Sequence, residues 1–204
     1  MCIIAVVPQG KPISDEVLRN CWDGNDDGAG FAYVSPESGR VTVRKGFMKW
    51  EEFIKSFREK FDEYGDKSPF VLHFRIRTHG ANDAERTHPF YIGTVKDKNR
   101  PALAHNGVLN CVPTHREKSD TQLFIEKYPK FFESSAQLKG IKKELGTAIG
   151  YNKFAVIFPD KEVVIVNEEL GDTNSDGVWF SHRGYQYKRT GSYSVHGPGF
   201  RGLN

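Results

Sequence analysis

The chain has 204 residues, of which 38% are hydrophobic and 13% aromatic, enough apolar surface for one large domain with its own core. Its 29 basic and 26 acidic side chains leave a formal charge of +3, and so balanced a charge argues against a nucleic-acid-binding protein. No stretch approaches the roughly 20 apolar residues of a membrane span, and the N-terminus lacks the features of a signal peptide, so we expect a soluble protein that binds no membrane.

Cysteine usage indicates a reducing environment. The three cysteines stand at positions 2, 21 and 111 and form no CxxC pair. An odd number of widely spaced cysteines is not typical of a disulfide framework. We therefore expect a cytoplasmic protein.

The first third of the chain predicts several strands and two helices. Residues 2–7 form a β-branched run that ends at Pro8, which is typical of a buried strand. Ser14 can cap a helix that reaches about Trp22, and aromatic residues at helical spacing predict an amphipathic helix over 50–64. Further strands are predicted over 30–34, 41–45 and 70–75.

The rest of the chain predicts a second set of strands and two more helices. Ser119 and Gln122 form a capping box that opens a helix, which Pro129 limits. A helical pattern continues over 138–145, and residues 80–90 form a long polar loop. Four further strands are predicted, over 102–105, 154–158, 163–166 and 178–181. Strands and helices in separate runs, with hairpins, predict an α+β fold with antiparallel sheets.

The C-terminal residues differ in composition from the rest of the chain. Positions 182–204 hold five glycines and four Lys or Arg residues but no acidic residue. Glycine-rich ends of this kind are typically loosely packed. We therefore expect one domain over 2–182 and a loosely ordered, basic tail over 183–204.

The position of Cys2, directly after Met1, permits an unusual kind of catalysis. Removal of Met1 would leave a thiol and a free α-amine on one residue, which is a nucleophile together with its own base. An α-amine has a pKa near ~7.7–8.0, so it can accept a thiol proton at neutral pH. Taken alone, the same position also fits the first small residue of a buried strand.

Four short segments farther along concentrate polar residues that are unusual in a core. They are HFRIRTHG at 73–80, THPF at 87–90, AHNG at 104–107 and SDT at 119–121. Each has an ordinary explanation of its own. Asn106-Gly107 is a favoured dipeptide of type I′ turns, and Asp120 at a helix start complements the helix dipole.

Together with Cys2, these segments resemble the glutaminase domain of the class II glutamine amidotransferases, which are N-terminal-cysteine enzymes of the Ntn-hydrolase superfamily. The family pattern is a cysteine at the mature N-terminus, then H-x-R-x-x-T-H/N-G, His-Pro, H-N-G and an Asp-Thr pair that opens a helix. Here the order and the spacing match, and the resemblance covers most of residues 2–182. It implies a four-layer αββα sandwich of two antiparallel sheets.

For the chemistry, the resemblance implies that Cys2 attacks the side-chain amide of glutamine and becomes a γ-glutamyl thioester. Its α-amine would act first as the general base and then as the acid that protonates departing ammonia. The side chain of Asn106 and the backbone N–H of Gly107 would form the oxyanion hole, where each donor is typically worth about 2.7–4 kcal/mol in the transition state. The resemblance implies no cofactor and no metal ion.

For substrate binding, the resemblance implies that Arg75 holds the α-carboxylate of glutamine, a task that suits a planar guanidinium group. Asp120 would pair with the α-ammonium group. Thr78 and His79 lie in the substrate-side segment of the family and are assigned to the substrate site as well. Three further histidines are expected to be scaffold residues: His73, His88 and His105.

The expected substrate is therefore L-glutamine, and the expected partner is a separate protein that accepts ammonia. Class II amidotransferases usually hold the ammonia acceptor site in the same chain. The residues after 182 leave no room for a synthase, sugar isomerase or phosphoribosyl domain, so the resemblance is to small stand-alone glutaminase domains. A nucleic-acid or membrane partner is not expected.

Three alternatives stay open at this point. The histidines of the 73–105 region could belong to a metal hydrolase, although HExxH and HxxEH motifs are absent. The chain could be a catalytically silent binding or regulatory protein with an amidotransferase fold. It could also be an Ntn hydrolase that cleaves another amide, although a paired Arg75 and Asp120 favour a free α-amino acid as substrate.

Overall fold

The chain folds into four layers, which are two antiparallel β-sheets packed face to face with helices on both outer faces. The structure is a computed structural model and describes residues 1–76, 84–113, 115–116 and 118–187. The predicted α+β class and the αββα layer order are confirmed.

Six strands form the first sheet. They are β1 (Ile3–Val7), β2 (Ala29–Ser35), β3 (Arg40–Phe47), β4 (Phe70–Phe74), β9 (Asp172–Thr173) and β10 (Trp179–Phe180). Their spatial order is β3-β2-β4-β1-β10-β9, and each neighbouring pair is antiparallel. The register sets Ile3 of β1 opposite Phe74 of β4. Cys2 therefore lies directly before a central strand, at the end of the sheet where β4 ends.

Four strands form the second sheet, again with antiparallel pairing throughout. They are β5 (Phe90–Tyr91), β6 (Ala102–Asn106), β7 (Lys153–Ile157) and β8 (Val163–Val166), in that spatial order. Asn106 is the last residue of β6 and lies opposite Lys153, the first residue of β7. The Asn106-Gly107 pair thus marks a strand end.

Two helices cover each sheet. α1 (Asp15–Gly24) and α2 (Trp50–Tyr64) pack on the first sheet, and α3 (Asp120–Lys127) and α4 (Ser135–Ile149) pack on the second. α1 begins as predicted, with the Ser14 hydroxyl accepting the Val17 N–H. Both hydrogen bonds of the predicted capping box are present at the start of α3. Within the described residues, no helix combines the length and the apolar character of a membrane span.

The side chains of the strands alternate between two cores. Along β1, Ile3, Ala5 and Val7 face the helices, whereas Ile4 and Val6 face the second sheet. Because both faces of the sheet are covered, β1 appears in the sequence as one continuous apolar run. The core between the sheets contains several small side chains that permit close approach of the sheets: Ala32, Ala102, Ala104 and Ala155.

The predicted helices and strands are found with their ends within two residues of the expected positions, except for α4, which begins three residues before and ends four residues after the predicted 138–145. β5 and β9 were not predicted, because a strand of two residues has no detectable periodicity. The predicted loop over 80–90 contains a 3₁₀ turn at Ala84–Arg86 and the first residue of β5. Its residues 80–83 lie outside the described residues.

The packed part of the chain extends past the predicted boundary at 182. Arg183–Gln186 forms a 3₁₀ turn, and the ring of Tyr185 stacks on Phe180 with a centroid distance of 3.9 Å. The Tyr185 hydroxyl donates a hydrogen bond of 2.6 Å to the Asp172 carboxylate. The remainder of the predicted tail, 188–204, lies outside the described residues.

Candidate active site

Cys2 is half-buried at the entry to β1, and its thiol contacts the backbone that follows β4. The Ile76 N–H donates to Sγ at 3.4 Å, and the thiol can donate to the Ile76 carbonyl at 3.5 Å. Burial raises the pKa of the Cys2 thiol, although the Ile76 N–H, the ammonium group of Met1 and the Arg75 guanidinium oppose that shift. The thiol is therefore protonated at neutral pH and needs a base before it can act as a nucleophile.

Arg75 lies beside Cys2, in the first residue position after β4. It is only 8% exposed, and its charge lowers the pKa of the Cys2 thiol and of the buried His73 and His88. Its backbone continues the sheet, since its N–H donates to the Gly28 carbonyl at 2.8 Å and its carbonyl accepts the Asp27 N–H at 3.0 Å. The sheet therefore fixes the backbone of Arg75, and the charge of this buried residue acts on the Cys2 thiol.

Asn106 reaches the same end of the sandwich from the second sheet. Its side chain is 2% exposed, and Nδ2 lies 2.7 Å from the Ser181 hydroxyl. That hydroxyl also accepts the Ile4 N–H at 2.9 Å, two residues after Cys2. Ser181 therefore connects Asn106 to β1, the strand that directly follows Cys2.

Gly107 occupies a position that other residues could not take. Its φ angle is +140°, and a Cβ atom there would overlap the side-chain oxygen of Asn152. Both features require glycine. The backbone after β6 therefore turns sharply at Gly107, directly after the Asn106 side chain.

Asp120 is the first residue of α3 and ties that helix to the chain after Gly107. Its Oδ2 atom accepts the Leu109 N–H at 2.8 Å, and its Oδ1 atom accepts the Thr121 N–H at 2.7 Å. Oδ1 also lies 3.3 Å from the Thr121 hydroxyl, whereas Oδ2 keeps a further lone pair, so the group can still accept a hydrogen bond from a ligand. It is half-buried, and its charge opposes the lowering of the His105 pKa that burial causes.

A chain of hydrogen bonds between buried side chains lies next to the Asn106-Gly107 turn. His105 Nε2 lies 2.8 Å from the side-chain oxygen of Asn152, and His105 Nδ1 lies 2.8 Å from the Thr121 hydroxyl. His88 Nε2 lies 3.1 Å from the same hydroxyl. Asn152 Nδ2 donates to the Ile149 carbonyl, so its oxygen must accept the Nε2–H of His105.

These contacts fix the protonation state of each group in the chain. With its proton on Nε2, His105 accepts at Nδ1 from the Thr121 O–H, and Thr121 in turn accepts the Nε2–H of His88. Burial lowers the pKa of His105 and lowers that of His88 well below its usual value. Both rings are therefore neutral at neutral pH, which is consistent with this chain of donors and acceptors.

His73 completes this buried group. Its Nε2 donates to the backbone carbonyl of His105 at 3.0 Å, and its ring lies 4.3 Å from that of His88. Burial lowers the pKa of His73 to about 3. The three histidines thus act as neutral hydrogen-bonding groups within the scaffold, in keeping with the role expected of them.

His182 is a site neighbour that the sequence analysis did not single out. Its Nδ1 accepts the Gly184 N–H at 3.0 Å, so its Nε2–H donates to the Cys2 carbonyl, also at 3.0 Å. Burial lowers the pKa of His182, while the carbonyls of Cys2 and Met1 oppose the shift. No motif marked Ser181, His182 or Asn152, because each lies far from the matched segments in sequence.

The structure brings together five of the seven predicted site residues: Cys2, Arg75, Asn106, Gly107 and Asp120. The first four lie at one end of the two sheets, and Asp120 lies at the start of the helix that follows. The other two, Thr78 and His79, lie outside the described residues.

Two other kinds of site, a metal centre and a surface cleft, have less support in the structure. Within the described parts of the chain, no three His, Cys, Asp or Glu side chains come together as metal ligands. A cleft of about 690 Å³ beside α4 has Lys139, Lys142 and Tyr151 in its lining. Both lysines already pair with carboxylates of Glu162 and Glu168, and the cleft contains no nucleophile.

The fold is similar to that of solved amidotransferase structures. One is the glutamine phosphoribosylpyrophosphate amidotransferase from B. subtilis in complex with ADP and GMP, with a TM-score of 0.54. Another is described as the allosteric regulatory enzyme of purine biosynthesis, with a TM-score of 0.56. In each comparison 17% of residues are identical, and the match covers 88% of this chain but only 41% of the other.

No protein-family model and no curated protein matches the chain. At 17% identity, the similarity to the solved structures shows a shared fold. The chain therefore has the αββα sandwich of the Ntn-hydrolase type, the fold that it shares with a region of these amidotransferases.

Proposed function

We propose that the chain, once Met1 is removed, is a class II glutaminase that hydrolyses the side-chain amide of L-glutamine. The main support is the placement of the Cys2 thiol, the buried Arg75 guanidinium and the Asn106-Gly107 turn at one end of an Ntn-hydrolase-type sandwich. Cys2 supplies a nucleophile, Arg75 a fixed cation and the turn a set of donors. Glutamine has an amide, a carboxylate and a carbonyl oxygen that match these three groups.

In the first half of the proposed reaction, the α-amine of Cys2 takes the thiol proton and Sγ attacks the amide carbon of glutamine. The raised pKa of the buried thiol explains why a base is required. Negative charge builds on the amide oxygen, where the Asn106 side chain and the Gly107 N–H stabilise it. The C–N bond then breaks, the ammonium group of Cys2 protonates the leaving nitrogen, and a γ-glutamyl thioester remains.

In the second half, water attacks the thioester carbon and the α-amine accepts its proton. The tetrahedral intermediate expels the Cys2 sulfur, which recovers its proton, and glutamate leaves. One water molecule is consumed, and one ammonia molecule and one glutamate are released for each glutamine. No electrons are transferred, so the reaction needs no redox cofactor.

The α-amino and α-carboxylate groups of glutamine give the site its selectivity in this proposal. Arg75 pairs with the carboxylate and Asp120 with the ammonium group, and Thr78 and His79 complete the substrate side. A bidentate guanidinium-carboxylate pair in a buried position is both strong and geometrically demanding. We therefore expect free L-glutamine to be hydrolysed and internal glutamine residues of peptides to be left intact.

We further propose that a separate protein accepts the ammonia in the cytoplasm. The chain spans 41% of the length of each solved amidotransferase chain that it resembles. The similarity therefore does not extend to the part of those chains that lies outside the match. Addition of the correct acceptor protein is expected to stimulate glutamine hydrolysis. A high rate that no acceptor candidate changes would contradict this part of the proposal.

The experiment for the core proposal measures glutamate and ammonia release from L-glutamine by protein with a processed N-terminus. Cys2→Ala should reduce hydrolysis to background, and alanine is small enough for Met1 removal to proceed as before. Cys111→Ala, which changes an exposed cysteine, should retain full activity. Equal activity of the Cys2→Ala variant and the unchanged protein would refute the proposal, and hydrolysis of another amide alone would favour a different Ntn hydrolase.

A further inference from the structure

Ser181 joins the two sheets next to the candidate nucleophile. It directly follows β10 and is fully buried. Its N–H donates to the Ile4 carbonyl at 3.0 Å, and its hydroxyl oxygen accepts the Ile4 N–H at 2.9 Å. These two bonds fix the Ser181 side chain relative to β1, and its hydroxyl then meets the Asn106 side chain at 2.7 Å.

When Nδ2 of Asn106 faces Ser181, one donor and one acceptor at this contact lack a partner. The Ser181 oxygen then accepts two hydrogen bonds, from Ile4 and from Asn106. Among the described residues, no group accepts the hydroxyl proton of Ser181. At the same time Oδ1 of Asn106 is buried and has no donor. A buried acceptor without a donor destabilises the folded state.

Exchange of the two amide atoms of Asn106 gives the Ser181 proton an acceptor and places a donor, in place of an acceptor, at the unpaired buried position. The oxygen and nitrogen of an asparagine side chain are nearly identical in shape, so the contact accommodates either orientation. In the exchanged orientation the Ser181 O–H donates to Oδ1 while its oxygen still accepts the Ile4 N–H. The NH₂ group then takes the buried position that has no partner in the empty site.

The exchanged orientation is also the one that can stabilise an oxyanion. A carbonyl oxygen in that position would repel a developing negative charge, whereas an NH₂ group would donate to it. This position is closed to water in the chain that still has Met1, and we expect removal of Met1 to open it to the substrate.

We infer that Ser181 is a positioning residue that directs the NH₂ group of Asn106 toward the amide oxygen of bound glutamine. Ser181 acts through Asn106 and does not itself touch the substrate. The inference rests on the proposed glutaminase function and adds a residue to it. Because the Ile4 bonds anchor the hydroxyl to β1, which directly follows Cys2, the same strand positions the donor and the nucleophile.

Kinetics of the processed protein test the inference through variants of Ser181. Ser181→Ala should lower kcat for glutamine by about 10- to 100-fold, less than the roughly 10²- to 10³-fold loss expected when an oxyanion donor is removed outright. KM should change by less than about threefold, because the oxyanion exists only in the transition state. Ser181→Thr, which keeps the hydroxyl, should restore most of kcat.

A double-mutant cycle separates this role from a purely structural one. Ser181→Ala should have almost no further effect on kcat in an Asn106→Ala background, since the group that it positions is absent. Loss of the Ile4 bond affects both backgrounds equally, so it cancels. Equal losses of kcat in the two backgrounds, or full activity of Ser181→Ala, would overturn the inference while leaving the glutaminase proposal intact.

Neutron diffraction from deuterium-exchanged crystals of the unchanged protein gives a second readout that does not depend on activity. We expect the Ser181 deuteron to point at Asn106 and the two amide deuterons of Asn106 to point away from Ser181. An amide deuteron directed at the Ser181 oxygen would refute the inference. An inactive protein with the expected deuterons would instead count against the proposed function alone.

Discussion

Gly107 combines a φ angle of +140° with a close approach of the Asn152 side chain, so its backbone N–H has a defined direction. We expect Gly107→Ala to lower kcat for glutamine by about 10²-fold, because the Cβ atom displaces this donor from the oxyanion. The same change should destabilise the fold by about 1–3 kcal/mol through backbone strain. Steady-state kinetics and urea unfolding measure the two effects.

Gly140 provides the matched control for that prediction. It lies within α4, and a Cβ atom there would meet no other atom within 4 Å. Gly140→Ala should therefore preserve kcat and stabilise the protein by about 0.5–1 kcal/mol, as alanine does within a helix. Full activity of Gly107→Ala would show that this backbone group does not contribute to catalysis.

The residues of the site were predictable where a short segment concentrates them. Local motifs and the family resemblance single out Cys2, Arg75, Asn106, Gly107 and Asp120 as candidates. The structure places the first four at one end of the two sheets and Asp120 at the start of α3, where it contacts Leu109. Ser181, His182 and Asn152 were not found. Their contacts depend on how strands distant in sequence pair across the sandwich, and a hydroxyl or amide in a single sequence has no feature that marks such a contact.

At the scale of secondary-structure elements, the start of α3 holds the segment after β6 in place. The Thr121 hydroxyl donates to His105 and accepts from His88, so one side chain of the helix satisfies two buried rings. Thr121→Val has nearly the same shape but leaves both ring nitrogens without a partner. We expect a loss of about 2–4 kcal/mol in the free energy of unfolding, measured by urea denaturation.

Thr121→Ser is the control, because it keeps the hydroxyl and removes only a methyl group. It should retain the free energy of unfolding to within about 1.5 kcal/mol. A Thr121→Val variant as stable as the Thr121→Ser variant would contradict the hydrogen-bond chain. Activity should fall in parallel for Thr121→Val, since His105 precedes the Asn106-Gly107 turn directly.

The elements themselves were largely predictable from periodicity and capping. The amphipathic pattern gave α2 with its observed bounds, and the Ser119 capping box marked the start of α3. Apolar runs located the central strands because both faces of each sheet are covered. The pairing order of the strands was not derivable from these patterns, since periodicity contains no information about which strands are neighbours.

At the scale of the whole molecule, the buried histidines link stability to pH. Burial lowers the folded-state pKa of His73 to about 3 and lowers those of His88 and His105 below the usual 6.5. The unfolded chain therefore binds more protons than the folded chain once the pH falls below about 6.5. Stability should decrease as the pH falls from there, by up to about 1.4 kcal/mol per pH unit for each histidine.

Urea unfolding at several pH values between about 5 and 7.5 measures this dependence. His88→Gln should reduce the slope by about 1.4 kcal/mol per pH unit, because one titrating group is removed. Thr121→Val weakens the same cluster without removing a histidine, so its slope should equal that of the unchanged protein. An identical slope for His88→Gln would mean that this ring is protonated in the folded state.

The central proposal is that Cys2 becomes an N-terminal nucleophile that attacks glutamine. The most direct measurement is intact-mass and peptide mass spectrometry after incubation with 6-diazo-5-oxo-norleucine, a reactive mimic of glutamine. We predict a chain that has lost Met1 and has a single adduct, on Cys2, and L-glutamine should slow its formation. A retained Met1, or an adduct on Cys21 or Cys111 in place of Cys2, would contradict the account.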